Sequence, residues 1–572
     1  MNLFRRISDF AHNQTALFWT FLGMLILPNV MMFFTESTGV LTRIVNIVLP
    51  LGCYWFAMTF NRKPGVMFWW LFFFIFIDAF EIVLLYLFGE SPIAVDMFLN
   101  VFTSNVTEET ELLANLIPAV AFVFVIYLSG IVLAIVSVRN RDKLRELFRY
   151  NQRKVAIIVV VLGVILLGVN YAVDRKFRIQ DDIFPVNGTY NFALSFGRVY
   201  HIANYERTSA GFTHHARTTR GDSIPEIYVL VIGETARADN FGIYGYERNT
   251  TPRMKALADS GELVVYHDAL TMSNTTHKSV PMLLSAIASE RYDSLYVQRG
   301  LISAFNEAGY NTAFYSNQRR NRSFIDFLGC EAQDVVFIKD TASITTTNVP
   351  DLKLLDLLDN TLRRYDGGKL LVVLHAYGSH FNYHDRYSRQ QAHFTPDEIP
   401  SAEVKYREQL INAYDNTIGV VDELVNGIAE RLRALDVPAV MIYTSDHGED
   451  IFDDKRGRFL HASPIPTYYQ LRVPYVVWAS PAYRETFASQ WQAVMSHRDK
   501  PISPNMVTFH TLLDMSGIKA NLFKPSLALS NPSFKPVPRL YVDDHNHYRT
   551  MDNCGLKKLD VEAFKNNHIQ YP

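Results

Sequence analysis

Hydrophobic and polar residues are arranged differently in the first third of the chain and in the rest. Residues 16–34, 44–60, 66–88, 112–138 and 155–173 are long runs, apolar and poor in charge. Each approaches or exceeds the ~20 residues a helix needs to cross a bilayer core of about 30 Å, and 44–60 is the shortest. A soluble helix keeps a polar stripe, which these runs lack. No small-residue cleavage site follows the first run, so it reads as a membrane span and not a cleaved leader. Beyond about residue 223 the pattern changes to short apolar strands alternating with helical periods. Strands are predicted at 227–232, 263–266, 312–315, 335–338, 370–374, 439–443 and 474–478, with helices among them at 301–308, 354–364, 402–435 and 505–515. Continuous apolar strands alternating with helices predict a mostly parallel sheet covered on both faces.

The loops between the apolar runs give the orientation. Arg5 and Arg6 precede the first run, Arg62 and Lys63 follow the second, and seven basic residues stand between Arg139 and Lys154. The alternate loops hold one Arg at 35–43 and no Lys or Arg at 89–111. Basic loops stay cytoplasmic. The expected organisation is therefore a five-helix transmembrane domain (1–173), a linker (174–223) and an α/β domain (224–572) on the outer face, which is periplasmic in a bacterium. The aromatic linker reads either as interfacial helices or as an ordinary connection packed on the next domain. Asp78 and Glu81 lie inside the third run, where carboxylates are costly; they either pair within the bundle or serve a function.

Composition narrows the function classes. The 572 residues carry 55 Lys+Arg and 57 Asp+Glu, a net charge of −2 that gives no global field for nucleic acid. Hydrophobic residues make up 49%, which excludes a disordered chain. Cys53, Cys330 and Cys554 are too few and too scattered for a disulfide scaffold or a paired-cysteine metal site.

Polar residues follow the strands directly, where open α/β sheets build their sites. Gly233-Glu234-Thr235-Ala236-Arg237, His375-Ala376-Tyr377-Gly378-Ser379-His380 and Ser445-Asp446-His447-Gly448-Glu449 each end a strand. The segment from Thr271 to Pro281 follows another and precedes a helical stretch. Carboxylate oxygens and imidazole nitrogens suit a divalent ion, zinc or manganese. Such an ion beside a Ser or Thr hydroxyl makes it a nucleophile.

These segments resemble the bacterial phosphoethanolamine transferases of the alkaline phosphatase/sulfatase superfamily, which include lipid A-modifying enzymes behind polymyxin resistance. Gly-Tyr-Glu-Arg-Asn-Thr-Thr-Pro at 245–252, Ser-Val-Pro at 279–281 and Asn-Ala-Tyr-Asp-Asn-Thr-Ile at 412–418 belong to the same likeness. It extends over almost the whole chain, because that family also places five membrane helices before a periplasmic domain. The resemblance implies zinc held by Glu234, Thr276, Asp446 and His447, with Thr276 as the nucleophile. Thr275 is its rival, with helix capping as the alternative role. His380 and His461 match a pair that holds a second zinc or the phosphoethanolamine group, and Glu449 an acidic residue near the amine. Asn317 matches a substrate contact after the third long strand. Asn100, Ser104 and Glu108 match polar periplasmic positions near the lipid donor. His375 either joins the site or shapes its loop.

The implied reaction moves phosphoethanolamine from phosphatidylethanolamine, through a covalent phosphothreonine, to lipid A, a lipopolysaccharide core sugar or another envelope acceptor. A phosphoglycerol transferase or phosphodiesterase of the same fold, and an inactive membrane scaffold, are the alternatives. Two positions depart from the family. Met272 and Met282 stand where relatives acting on lipid A carry cysteines, and His277 and Lys278 stand where many have small residues. Both latter side chains suit an acceptor phosphate, or else form a solvated pair. The late cluster Asp543-Asp544-His545-Asn546-His547 reads as a surface or acceptor-side loop.

Overall fold

The structure, a computed structural model, describes residues 9–36, 38–88, 93–103, 106–175, 177–221, 224–340 and 348–571; the side chains of 87–88, 100–103 and 106–116 also lie outside the description. Asn100, Ser104 and Glu108 fall among these. The chain forms two units, Met1–Phe102 with Leu112–Arg198, and Thr103–Glu111 with Val199–Pro572.

The first unit is helical: α1 (Gln14–Thr35), α2 (Val40–Met58), α3 (Pro64–Trp70), α4 (Phe72–Phe88), α5 (Val95–Thr103), α6 (Val106–Arg139), α7 (Glu146–Val173) and α8 (Val186–Ala203). Four of these are long and apolar enough to cross a membrane: α1, α2, α6 over Ile117–Arg139, and α7. The third run is not one straight span, because α3 and α4 meet at 70°. They supply a fifth span only if the bent pair counts as one. Neither Pro nor Gly stands at the break to announce it. Small residues let α2 and α7 approach closely: a Cβ on Gly163 would lie 2.8 Å from Leu49 Cα, and one on Gly52 2.8 Å from Val160 N. Asn29 donates to the carbonyls of Asn46 and Phe184, both at 2.7 Å, which ties α1 to α2 and to the segment ahead of α8. Phe192 of α8 packs on Phe73, Phe76 and Phe98, so this part of the expected linker belongs to the helical unit. Asp78 and Glu81 are fully buried, and Glu81 Oε2 accepts from the Ile93 amide at 3.0 Å.

The second unit is built on β1 (Glu226–Gly233), β2 (Leu263–Val265), β3 (Asn311–Ser316), β4 (Asp334–Phe337), β5 (Lys369–His375), β6 (Ala439–Ser445) and β7 (Tyr475–Ala479). They form one seven-stranded sheet in the order β2-β7-β6-β1-β5-β3-β4. Pairing is parallel except where β7 runs antiparallel to β6 and β2. All seven predicted strands are in it. The eight residues of β1 are all buried, because helices cover both faces. Register fixes the site: Ile232 lies opposite His375 and Gly233 opposite Ser445, so β1, β5 and β6 end side by side. The segments after them emerge at one edge, together with the N-terminus of α9 (Thr276–Leu283). The long helix α10 (Arg407–Arg433) packs behind, with Tyr414 OH donating to Thr235 O at 2.7 Å. Leu230 at the centre of β1 is fully buried. Leu230→Ala is expected to destabilise the unit by about 2–5 kcal/mol, read as a lowered thermal midpoint of the full chain in detergent.

Candidate metal and nucleophile site

Glu234 stands immediately after β1. The next residue, Thr235, takes φ +54°, a strained choice for a β-branched side chain. The loop after β5 presses on it from the other side: a Cβ on Gly378 would lie 2.5 Å from Glu234 O, so only glycine fits. Asp351 receives the amides of Tyr377 and Gly378 at 2.8 and 2.7 Å and holds that loop.

Thr276 is the first residue of α9, and Thr275 is its N-cap residue. The two threonines part at once. Thr275 Oγ1 pairs with Ser273 Oγ at 3.0 Å and makes no cap hydrogen bond. Thr276 Oγ1 lies 2.9 Å from Glu234 Oε1, to which it donates, and 3.1 Å from His447 Nε2. The segment carrying Thr276 is fastened to the end of β6, since Thr271 and Ser279 both donate to Asp446 O at 2.6 Å.

His447 fixes the chemistry of this cluster. Its Nδ1 lies 2.9 Å from Gly448 O, a carbonyl that can only accept, so Nδ1 carries the ring proton. Burial pushes the imidazole down to about 4, so it is neutral at neutral pH. Nε2 is then a lone pair, yet it faces Asp446 Oδ2 at 3.3 Å and Glu234 Oε1 at 3.5 Å. Asp446 Oδ2 is buried without a hydrogen-bond partner among the described residues. Two carboxylate oxygens, an imidazole nitrogen and a hydroxyl converge with too few protons between them. That donor set fits a cation, and its oxygen and nitrogen composition fits zinc.

A second group adjoins the first. His461 Nδ1 lies 3.0 Å from Glu449 Oε2, and Tyr383 OH donates to Glu449 Oε1. His380 Nδ1 donates to Phe381 O at 2.7 Å. His447 and His380 are thus oriented by Nδ1 protons given to main-chain carbonyls, and His461 is oriented through Nδ1 by Glu449. Burial depresses His461 to about 4 and His380 well below its ordinary value, and raises the fully buried Glu449 to about 8. The rings of His447 and His461 are 4.3 Å apart, and those of His461 and His380 5.7 Å. Ligand atoms of Glu234, His447 and His461 come within 4.8 Å of one another.

Some expected residues stand elsewhere. The Asn317 amide is spent on Val349 O and Asp351, at 2.8 and 2.7 Å; its neighbour Gln318 is the one that reaches Glu234, at 3.1 Å. Lys278 is 2% exposed and donates to Asp543 O at 2.8 Å, so it is not a solvated partner of His277. Asp543 begins the tip of a C-terminal hairpin (Leu540–Val542 with Tyr548–Thr550), and its carboxylate receives the amides of His545 and His547 and the Arg549 guanidinium. The late acidic and histidine cluster is therefore a folded loop tip beside α9. All three cysteines are free, so Cys330 and Cys554 do not pair. Arg237 and Asp415, both from the recognisable motifs, are scaffold: Arg237 bridges Asn240, Glu449 O and Asp453, and Asp415 receives Asn240, Tyr246 and Arg248.

The sulfatase family profile matches residues 226–518, more than half of the chain and the whole frame of the site. The chain belongs to the sulfatase family. It is 30% identical over 286 residues to Kdo(2)-lipid A phosphoethanolamine 7''-transferase of Escherichia coli, an alignment covering 49% of this chain and 48% of the relative. The chain thus spans about half the length of that curated relative. The lipooligosaccharide phosphoethanolamine transferase A of Neisseria meningitidis, an integral membrane protein, has the same fold at a TM-score of 0.70 and 21% identity, over 90% of this chain and 97% of that one. The C-terminal periplasmic domain of EptC from Escherichia coli, solved in complex with zinc, matches at a TM-score of 0.53 and 24% identity, over 59% of this chain and 95% of that one. The motif resemblance to phosphoethanolamine transferases of the alkaline phosphatase/sulfatase superfamily is borne out, and so is the plan of apolar N-terminal helices followed by an α/β domain.

Proposed function

We propose that this protein transfers phosphoethanolamine from phosphatidylethanolamine to an envelope acceptor, lipid A or the lipopolysaccharide core, with Thr276 as the nucleophile. The observation that carries this reading is the position of Thr276 Oγ1, 2.9 Å from Glu234 Oε1 and 3.1 Å from His447 Nε2. Glu234, Thr276, Asp446 and His447 would hold zinc, with manganese as the alternative ion. When bound, the ion supplies positive charge that lowers the pKa of the hydroxyl and offsets charge on the transferring phosphoryl group.

The chain's own groups do the rest. The Thr276 hydroxyl releases its proton along its hydrogen bond to Glu234, and Oγ1 bonds to the donor phosphorus. The phosphorus–oxygen bond to diacylglycerol breaks, and that oxygen takes the proton held by Glu234 as diacylglycerol leaves. An acceptor hydroxyl oxygen then bonds to phosphorus as the bond to Oγ1 breaks, and the acceptor's proton passes by way of Glu234 to Oγ1. The N-terminus of α9 faces the phosphoryl group with its amides, which favours negative charge there. His380 and His461 would bind the phosphoethanolamine group or a second ion, and Glu449 its ammonium. Asn100, Ser104 and Glu108 would contact the donor lipid.

The basic loops favour a cytoplasmic N-terminus in the bacterial inner membrane. With α3 and α4 counted as one span, five crossings put the catalytic unit in the periplasm. Purified full-length protein supplied with headgroup-labelled phosphatidylethanolamine is expected to release diacylglycerol and to label lipid A or core oligosaccharide. Diacylglycerol release with label only in free phosphoethanolamine would mark a phosphodiesterase instead.

A further inference from the structure

Glu234 meets the nucleophile with one oxygen and is held by the other. Oε1 accepts from Thr276 at 2.9 Å, and Oε2 lies 3.1 Å from Gln318 Nε2. A carboxylate oxygen only accepts, so the Gln318 atom facing it is the amide nitrogen. The same nitrogen lies 3.3 Å from His375 Nε2 and 3.5 Å from Ala376 O; its second hydrogen goes to the nearer of the two, so His375 Nε2 accepts. That puts the His375 ring proton on Nδ1, 3.1 Å from Ser316 Oγ. Ser316 Oγ also receives the Gln318 backbone amide at 3.1 Å. The links close into a ring: Gln318 main chain, Ser316, His375 and Gln318 carboxamide, with Glu234 attached at the amide. Ser316 and His375 are fully buried at the ends of β3 and β5, so the ring is anchored in the sheet. The Nε2 lone pair of His375 is directed at Gln318, which separates this histidine in role from His380, His447 and His461.

We infer that Gln318 is a positioning residue, backed by His375, that turns the Glu234 carboxylate so that Oε1 faces Thr276. This rests on the proposed pairing of Glu234 with zinc and with the Thr276 nucleophile. Carboxylates that ligate metals are themselves held by hydrogen bonds, and losing such a partner typically costs about 10–100-fold in metal affinity or activity.

The test uses Gln318→Leu and Gln318→Glu in the full-length protein in detergent. Zinc affinity is read by chelator competition, alongside kcat and KM for phosphatidylethanolamine and the unfolding midpoint of zinc-stripped protein. Gln318→Leu is expected to lose about 10–100-fold in zinc affinity and in kcat, with KM and midpoint unchanged. Gln318→Glu keeps the shape but opposes a second carboxylate to Glu234; it is expected to lose more, and it carries the test if leucine lowers the midpoint. Adding His375→Leu to Gln318→Leu is expected to cost no further zinc affinity, because both act through one contact. Wild-type zinc affinity in both Gln318 variants would overturn the inference. A fully additive loss in the double variant would overturn the part given to His375. Wild-type protein that binds no zinc would instead overturn the underlying reading of the site.

Discussion

Thr276→Ala is expected to abolish transfer, with kcat falling by roughly 10⁴-fold or more, since removing a covalent nucleophile leaves only positioning and electrostatic help. The fold should hold. The Thr276 hydroxyl caps no helix, and its partners are Glu234 and His447 rather than the backbone of the nucleophile segment. The thermal midpoint should therefore stay within a few degrees of wild type, which separates lost chemistry from lost structure. Thr276→Ser restores a hydroxyl at the same atom and should recover part of the rate. Thr275→Ala makes the sharper control. Thr275 Oγ1 faces Ser273, so its removal should leave most of the activity. Headgroup transfer measured from the same donor vesicles checks all three. A Thr275→Ala variant as dead as Thr276→Ala would reverse the assignment.

The second large effect is expected at Asp446. Oδ1 receives the amides of Thr235 and His447, at 3.2 and 2.7 Å, while Oδ2 is buried and turned to His447 Nε2. Asp446→Asn can keep the Oδ1 contacts and removes the charge. Loss of a proposed direct ligand should exceed the penalty typical of a residue that only holds a ligand, so zinc affinity should fall by more than about 100-fold. Stability should move the other way in the stripped protein. A buried carboxylate beside a second one costs desolvation and repulsion, so the metal-free variant should be at least as stable as metal-free wild type. Zinc should raise the wild-type midpoint through mass action and leave that of the variant unmoved. Calorimetric or fluorescence melts with and without zinc check the prediction. A variant that gains as much from zinc as wild type would remove Asp446 from the ligand set.

Much of this is legible in the sequence because the physics is local. Each sheet strand was a continuous apolar run, and runs such as 227–232 and 439–443 admit no amphipathic alternative. Once the strands were parallel, the polar residues after them had to share an edge, which brought Glu234, Asp446 and His447 together from distant stretches of chain. What escaped was set by packing. Asn317 and Gln318 are adjacent amides past the end of β3, and spacing cannot tell which one turns toward Glu234. Tyr383 reaches Glu449 from an irregular turn without periodicity. Lys278 looked exposed by its neighbours in sequence, and it is buried by a hairpin 265 residues away. The bend between α3 and α4 has no proline or glycine to announce it. The motifs at 245–252 and 412–418 marked the family correctly, yet Arg248 and Asp415 brace the site from behind and do not enter it.

The proposed phosphoethanolamine adduct on Thr276 can be trapped directly. Full-length protein would be incubated with phosphatidylethanolamine bearing an isotopically labelled headgroup and no acceptor, then quenched in acid, digested and sequenced by mass spectrometry. Phosphoethanolamine on Thr276, absent from Thr276→Ala and lost when acceptor is added before the quench, is the expected result. Turnover of the donor with no adduct at Thr276, or an adduct on another residue that chases into acceptor, would contradict it.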